Sequence, residues 1–321
     1  MAKFVDVSSI VANQFATAMS VRNAFDGLDA ELGIAYMAGI GSMSGGRLAL
    51  SAASPIATGD ISSGFVYLVA YSGNYVVLLD TAINAWRPIG IGTASVSLSG
   101  IAAGTNVDIF ASANTNGTVM LTAIAWTNST TRATALTRVN GVWCMAGTAN
   151  PGSHLYLGTV RTTSLGTCAQ VASNSVLWNQ FNRVNRGIVA TEAADSWTYA
   201  TGTWRAYNGG GTPTARVNAI TGDAGSVGIV RGSGYATATG GVHGAIGIGV
   251  NSTTAPTGAP SGAQPGSSVV QLHAPVNVLM PIGWNAIHLL EVASGATVTF
   301  YGDNGALSGL YQAGISAVVE C

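Results

Sequence analysis

The feature that most constrains this chain is its texture after Gly33: short β-branched and aromatic runs, closely spaced, with turn residues between them. Asn140-Gly141 separates Ala133–Val139 from Val142–Met145, and Asn116-Gly117 separates Val107–Ala113 from Thr118–Trp126. Both residues of such a pair tolerate the positive φ of a type I′ turn, which makes Asn-Gly between apolar runs a strong hairpin signal. Further candidate strands are Arg47–Ser51, Phe65–Tyr71, Tyr75–Thr81, Ala94–Leu98 and Leu155–Thr162, with Ser72-Gly73-Asn74 as another turn. Many short strands at this spacing predict sandwiches or barrels and exclude βαβ units. Val107–Phe110 and Val119–Ile124 are too apolar for a one-sided strand, so they should be covered on both faces.

A second block starts near Thr191. Ser196–Tyr199 and Thr203–Arg205 place aromatics at alternate positions around Gly202, the pattern of a hairpin. Pro256, Pro260 and Pro265 mark Thr253–Gly266 as a loop, after which strands are expected at Ser268–Leu272, Val276–Met280, Ala286–Val292, Thr297–Tyr301 and Gly314–Glu320.

The N-terminal stretch reads differently. Phe4, Val7, Val11, Gln14, Ala18, Val21, Phe25, Leu28 and Leu32 follow one another in alternating steps of three and four. That is the 3.5-residue period of a coiled coil. Asp6, Ser8 and Ser9 are N-cap candidates and Gly33 a stop, giving a helix of about 40 Å. Ile10, Phe15 and Met19 widen the apolar face beyond what a two-stranded zipper needs. The expected fold is therefore mainly β, an N-terminal coiled-coil-like α-helix followed by two antiparallel β-sandwich or jelly-roll-like domains. The expected divisions are an oligomerisation or docking segment over 1–36, one β domain over 37–190 and a second over 191–321 with its Gly/Pro-rich loop. The oligomerisation seam is Val7, Val11, Gln14, Ala18, Val21, Phe25, Leu28 and Leu32.

Composition narrows the function. Charged residues make up 8% of the chain, 12 basic against 13 acidic, where a typical globular protein has about 25%. This excludes a basic nucleic-acid cleft and a polybasic membrane anchor. No apolar window reaches the ~18–20 residues of a spanning helix. So few charges keep monomers apart poorly, which favours a surface covered by other subunits. Cys144, Cys168 and Cys321 are far apart, odd in number and without C-x-x-C spacing, and so read as small buried hydrophobes.

The motifs of chemistry are sparse. His154, His243, His273 and His288 lack metal-binding spacing, and no G-x-S-x-G elbow occurs. Gly302-Asp303-Asn304-Gly305 could offer oxygens to calcium but reads more simply as a tight turn. Glu192 and Asp195, beside Trp197, Tyr199 and Trp204, form the one carboxylate pair of glycosidase type. The sequence therefore predicts no catalytic residue, no cofactor and no metal, with Trp197, Tyr199 and Trp204 as candidate glycan contacts. Arg132, Arg161, Arg183, Arg186 and Arg205 read as anchors between sheets or subunits, candidate partners of Glu192 and Asp195.

Trp126-Thr127-Asn128, Arg132-Ala133-Thr134-Ala135-Leu136, Asn140-Gly141-Val142 and Tyr156–Thr163 form a series continued by Trp178–Val184, Ser196–Tyr199, Thr203–Arg205 and Tyr301–Gly305. In this series the chain resembles a family of tailed-phage and prophage virion proteins. The resemblance implies a bacteriophage structural protein, a tail-fibre, receptor-binding or capsid-decoration component. It implies a homotrimer, other phage virion proteins as partners and a host surface glycan or envelope protein as target. Assembly would occur in the bacterial host cytoplasm, with no nucleic acid bound and no membrane insertion. The alternatives are a capsid cement without a ligand and a virion-bound polysaccharide depolymerase using Glu192 and Asp195.

Overall fold

The computed structural model describes residues 42–80, 85–114, 117–209, 214–303, 305 and 311–321. The N-terminal helix expected over Asp6–Gly33, with its whole seam, lies outside the described residues. Among those described the protein is mainly β and has no α-helix; Pro151–Ser153 forms a 3-10 turn.

The first half contributes β1 (Gly46–Ala49), β2 (Ile61–Ser63), β3 (Phe65–Ala70), β4 (Val76–Asp80), β5 (Ala85–Ile89), β6 (Ser95–Ser97) and β7 (Asn106–Ala113). It continues through β8 (Val119–Ala125), β9 (Leu136–Val139), β10 (Val142–Met145), β11 (Leu155–Arg161), β12 (Cys168–Gln170), β13 (Asn174–Ser175) and β14 (Leu177–Asn179). The main sheet runs β8-β7-β11-β10-β9, with β14 also on β11, and β1-β3-β6, β4-β5 and β2-β12 form smaller sheets. Leu48, Leu68 and Val76 from the small sheets, with Leu98 just after β6, meet Val107, Ile109, Leu155 and Val160 from the main one in a single core. The Asn140-Gly141 hairpin forms as the sequence predicts, Asn140 at φ 50°, Gly141 at φ 85° and Val139 opposite Val142. Strand β7 is buried on both faces up to Ser112, whereas β8 is covered mainly on one.

The second half holds β15 (Asn185–Thr191), β16 (Ser196–Tyr199), β17 (Arg205–Ala206), β18 (Arg216–Thr221), β19 (Val227–Ala238) and β20 (Gly244–Val250). After these come β21 (Ser261–Ala263), β22 (Val270–Leu279), β23 (Gly283–Ala293), β24 (Val298–Tyr301) and β25 (Gly314–Glu320). One sheet pairs β15, β25, β19 and β22 in that order; the other pairs β18, β23, β20 and β21. Ile188, Val230, Ile315 and Val319 from the first sheet meet Val217, Ile246, Ile248 and Leu289 from the second. Two sheets facing each other in this strand order are wound as a jelly roll.

The structure departs from the sequence expectation in three places. The hairpin around Gly202 does not form: Ser196–Tyr199 pairs with β24 and Arg205–Ala206 with β23, in the opposite sheet. Ser268–Leu272 and Val276–Met280 belong to one strand, because Pro275 lies on β22, which pairs only with β19 and so demands no donor on its outer edge. The pairing is also not wholly antiparallel: β13 runs parallel to β18. Through β13 and β15, both reached before residue 191, the second half's sheets recruit strands from earlier in the chain.

Candidate functional site

Trp126, Arg132, Tyr156, Thr159, Trp178 and Arg183 meet at the seam between the halves. Strand β7 carries Asp108 in the run Val107-Asp108-Ile109-Phe110, where alternation turns it away from the first core. There its Oδ2 accepts from Arg132 Nε at 2.7 Å and its Oδ1 from Thr159 Oγ1 at 2.7 Å. Arg132 also donates to the Tyr156 hydroxyl at 3.0 Å and to the Gly222 carbonyl of the second half. Its guanidinium lies over Trp126 at 4.6 Å and over Tyr156 at 5.2 Å.

Trp178, fully buried, stacks against Tyr156 at 6.2 Å, donates from Nε1 to Ser226 Oγ at 3.1 Å and carries Arg183 over its ring at 4.4 Å. Phe110, Met145 and Ile220 complete the cluster, so side chains of both halves share it. Two glycines make room for it. A Cβ on Gly158, at the bulge where β11 shifts register and φ is 155°, would overlap the Trp178 carbonyl. A Cβ on Gly222 would overlap the Tyr156 hydroxyl and the Trp178 ring.

Burial pushes the Asp108 carboxyl up, against the pull of Arg132 and Thr159. Burial also works against the Arg132 charge, but Tyr156 and Asp108 outweigh it and hold its pKa above the ordinary value. The Tyr156 phenol is driven up by burial and by Asp108. Beside the network a cleft of about 420 Å³ is lined by Arg132, Leu136, Trp143, Tyr156, Gln180 and Asp223.

The second cluster contains the aromatics singled out in the sequence. Trp197 reaches between the sheets, edge-on to Tyr207 at 4.8 Å, and donates Nε1 to both oxygens of Glu291, at 3.0 and 2.9 Å. Arg205, opposite Glu291 in the β17–β23 register, donates from Nε at 2.7 Å and lies 3.7 Å over the Tyr199 ring. The Tyr199 hydroxyl donates to the Thr203 carbonyl at 2.7 Å. Trp204 is half-buried, its ring beside Gly247 and Pro256. The polar handles of Trp197 and Tyr199 are thus spent within the chain.

Glu192 and Asp195 do not share a setting. Glu192 is buried and accepts from the Thr214 hydroxyl and the Ala194 amide, whereas Asp195 is exposed beside Gly305. The arginine partners also differ from expectation. Arg132 pairs with Asp108, Arg205 with Glu291 and Arg183 with Glu320 at 3.6 Å, while Arg161 donates to Asn106 and Arg186 to the Val171 carbonyl. Asp108 and Glu291 escaped the sequence reading. Their signal is a lone carboxylate inside an apolar strand run (Val107-Asp108-Ile109, Leu290-Glu291-Val292), a position tolerable only with an internal partner.

Among the described residues no three of His, Cys, Asp and Glu converge on a metal-sized site. Asp303 Oδ1 accepts the Gly305 amide at 3.0 Å, the bond of a tight turn. The three cysteines are free and buried, and burial raises the thiols of Cys144 to about 11 and of Cys168 to about 12.

Glu291 makes the cluster sensitive to pH. Burial lifts its carboxyl to about 7 from 4.5, against the opposing pull of Trp197 and Arg205. A folded-state pKa above the unfolded one means that this contribution is complete below about 4.5 and fades as pH rises through about 7. Relative to Glu291→Gln, the wild-type chain should lose on the order of 3 kcal/mol across that window. Denaturant midpoints of both proteins at pH 4.5, 6 and 8 check this; parallel curves would remove Glu291 as the titrating group.

No family model matches the chain, and no curated protein matches it. Among solved structures it is similar to the Eiger TNF of S. frugiperda, at 6% identity and TM-score 0.29, over 43% of this chain and 92% of that one. It is also similar to the structure of infectious bursal virus derived T=1 particles, at 13% identity and TM-score 0.27, over 79% of this chain and 66% of that one. A third likeness is an exo-β-1,3-galactanase of Phanerochaete chrysosporium, at 11% identity and TM-score 0.15, over 80% and 78% of the two chains.

Proposed function

We propose that the protein is a non-enzymatic structural component of a bacteriophage virion, a tail-fibre or receptor-binding type of protein. In this reading residues 1–36 assemble it as a homotrimer and dock it on other virion proteins, while the β body projects toward a host glycan or envelope protein. The observation that carries the reading is the use made of the three carboxylates buried among the described residues. Asp108, Glu192 and Glu291 are each hydrogen-bonded to the chain's own donors, so each ties the scaffold together and none faces a substrate cleft. A chain with few charges, in which Arg132 and Arg205 are bonded to buried carboxylates, suits a part made to be packed among others.

Sedimentation of the full chain tests the assembly role. Val21→Asp with Leu28→Asp should convert trimer to a smaller species while the β-sheet spectrum stays intact, because two carboxylates in the seam cannot be buried unpaired. An unchanged mass would overturn trimerisation through the N-terminal segment. Release of reducing ends from host capsule by the pure protein would replace the structural reading with the depolymerase. A capsid cement would show itself in particle images by spreading over its neighbours instead of protruding.

A further inference from the structure

The outer face of the β15-β25-β19-β22 sheet turns apolar side chains to solvent in an ordered way. Of the large hydrophobic residues exposed among those described, Val189, Val227, Ile229, Leu279 and Val318 all point outward from these four strands, exposed from 39% at Val318 to 68% at Leu279. Register places them side by side. Ile229 is opposite Val318, which is opposite Gly187, and Val227 is opposite Leu279. A contiguous apolar patch on a sheet face is the mark of a contact surface.

The charges say what covers it. Besides His273, the outward positions of these strands hold one base, Arg231, and one acid, Glu320. Arg231 lies two residues from Ile229 along β19. Glu320 lies two residues from Val318 along β25, toward the opposite end of the sheet, because the strands are antiparallel and Ile229 pairs with Val318. The two charges therefore stand at equal distances, roughly 7 Å, on either side of the Ile229–Val318 row. Glu320 has Arg183 at 3.6 Å, whereas Arg231 has no carboxylate at ion-pair distance among the described residues.

We propose that this face binds a second copy of itself about a two-fold axis along the Ile229–Val318 row. The axis sets Ile229 and Val318 against their own counterparts and brings Arg231 of each copy level with Glu320 of the other, on the neighbouring strand. The Arg231–Glu320 pairing is then made twice, once on each side of the axis, as an isologous contact requires. The hollow of about 350 Å³ between Gly187, Ile229 and Val318 gives the facing side chains room to interdigitate. The overlapping part of the four strands, about five residues of each, spans roughly 330 Å² per copy, so the pair buries roughly 650 Å², the size of a weak, reversible contact. This contact uses a different surface from the N-terminal segment and does not depend on the virion reading.

Charge reversal tests it. In sedimentation equilibrium of the full chain, weight-average mass should rise with concentration toward twice that of the smallest species. Arg231→Glu alone and Glu320→Arg alone should each weaken that association roughly tenfold or more, by setting like charges against each other. The double variant Arg231→Glu/Glu320→Arg should restore it. The same pattern should persist with Val21→Asp/Leu28→Asp added, which separates this face from the N-terminal seam. Mass independent of concentration, single reversals without effect, or a double variant that fails to recover would each overturn the proposal and leave the face to another partner.

Discussion

Asp108→Ala should lower the unfolding free energy by about 3–5 kcal/mol, among the largest effects available to a single substitution in this chain. The lost carboxylate accepts from Arg132 and Thr159 in a site that is almost wholly buried, so its removal leaves a guanidinium and a hydroxyl without their acceptor. Because Arg132 also bonds Tyr156 and the Gly222 carbonyl, the damage reaches the second half of the chain. Replacing both partners, as Asp108→Leu with Arg132→Met, should cost less than Asp108→Ala alone, since no buried charge is then left unanswered. Urea unfolding followed by tryptophan fluorescence measures all three proteins. A single substitution costing under about 1 kcal/mol would show that the pair is not the tie described.

Trp178→Ala should cost a similar amount, about 3–5 kcal/mol, for a different reason. The indole is wholly enclosed by Tyr156, Ile220 and the approach of Gly158 and Gly222, a setting shaped around it that cannot collapse onto an alanine. Its loss also removes the bond to Ser226 and the ring on which Arg183 rests. The two substitutions meet at Tyr156, so the double variant should be less destabilised than the sum of the two singles. Strict additivity in the same unfolding experiment would mean that network and cluster are separate units.

Much of the β architecture was legible, because short apolar runs between Gly and Asn turns leave few alternatives. Val142–Met145 and Gly314–Glu320 appear with the bounds expected of them, and Asn140-Gly141 turns as its chemistry demands. What escaped were strands made by their neighbours. Asn174–Ser175 and Ser261–Ala263 are short and polar, and only the waiting edges of β18 and β20 make them strands. The sequence marks the aromatics Trp197, Tyr199 and Trp204 but not the carboxylate beside Trp197. Trp197 and Arg205 lie on strands of opposite sheets, and Glu291, the group they both serve, lies 86 residues beyond Arg205. A partner at that separation leaves no local trace except its own anomaly, an acid among leucines.

The place of β25 in its sheet bears on how the molecule comes into being. This strand sits between β15 and β19, the one begun 129 residues before it and the other 87. During synthesis the earlier strands leave the ribosome with a vacant slot at the centre of their sheet, and their apolar inner faces stay wet until Gly314–Glu320 arrives. Closure is therefore a late, long-range event, slow by the loop entropy it must overcome, and the interval before it is when the nascent chain is most open to sticking to others of its kind.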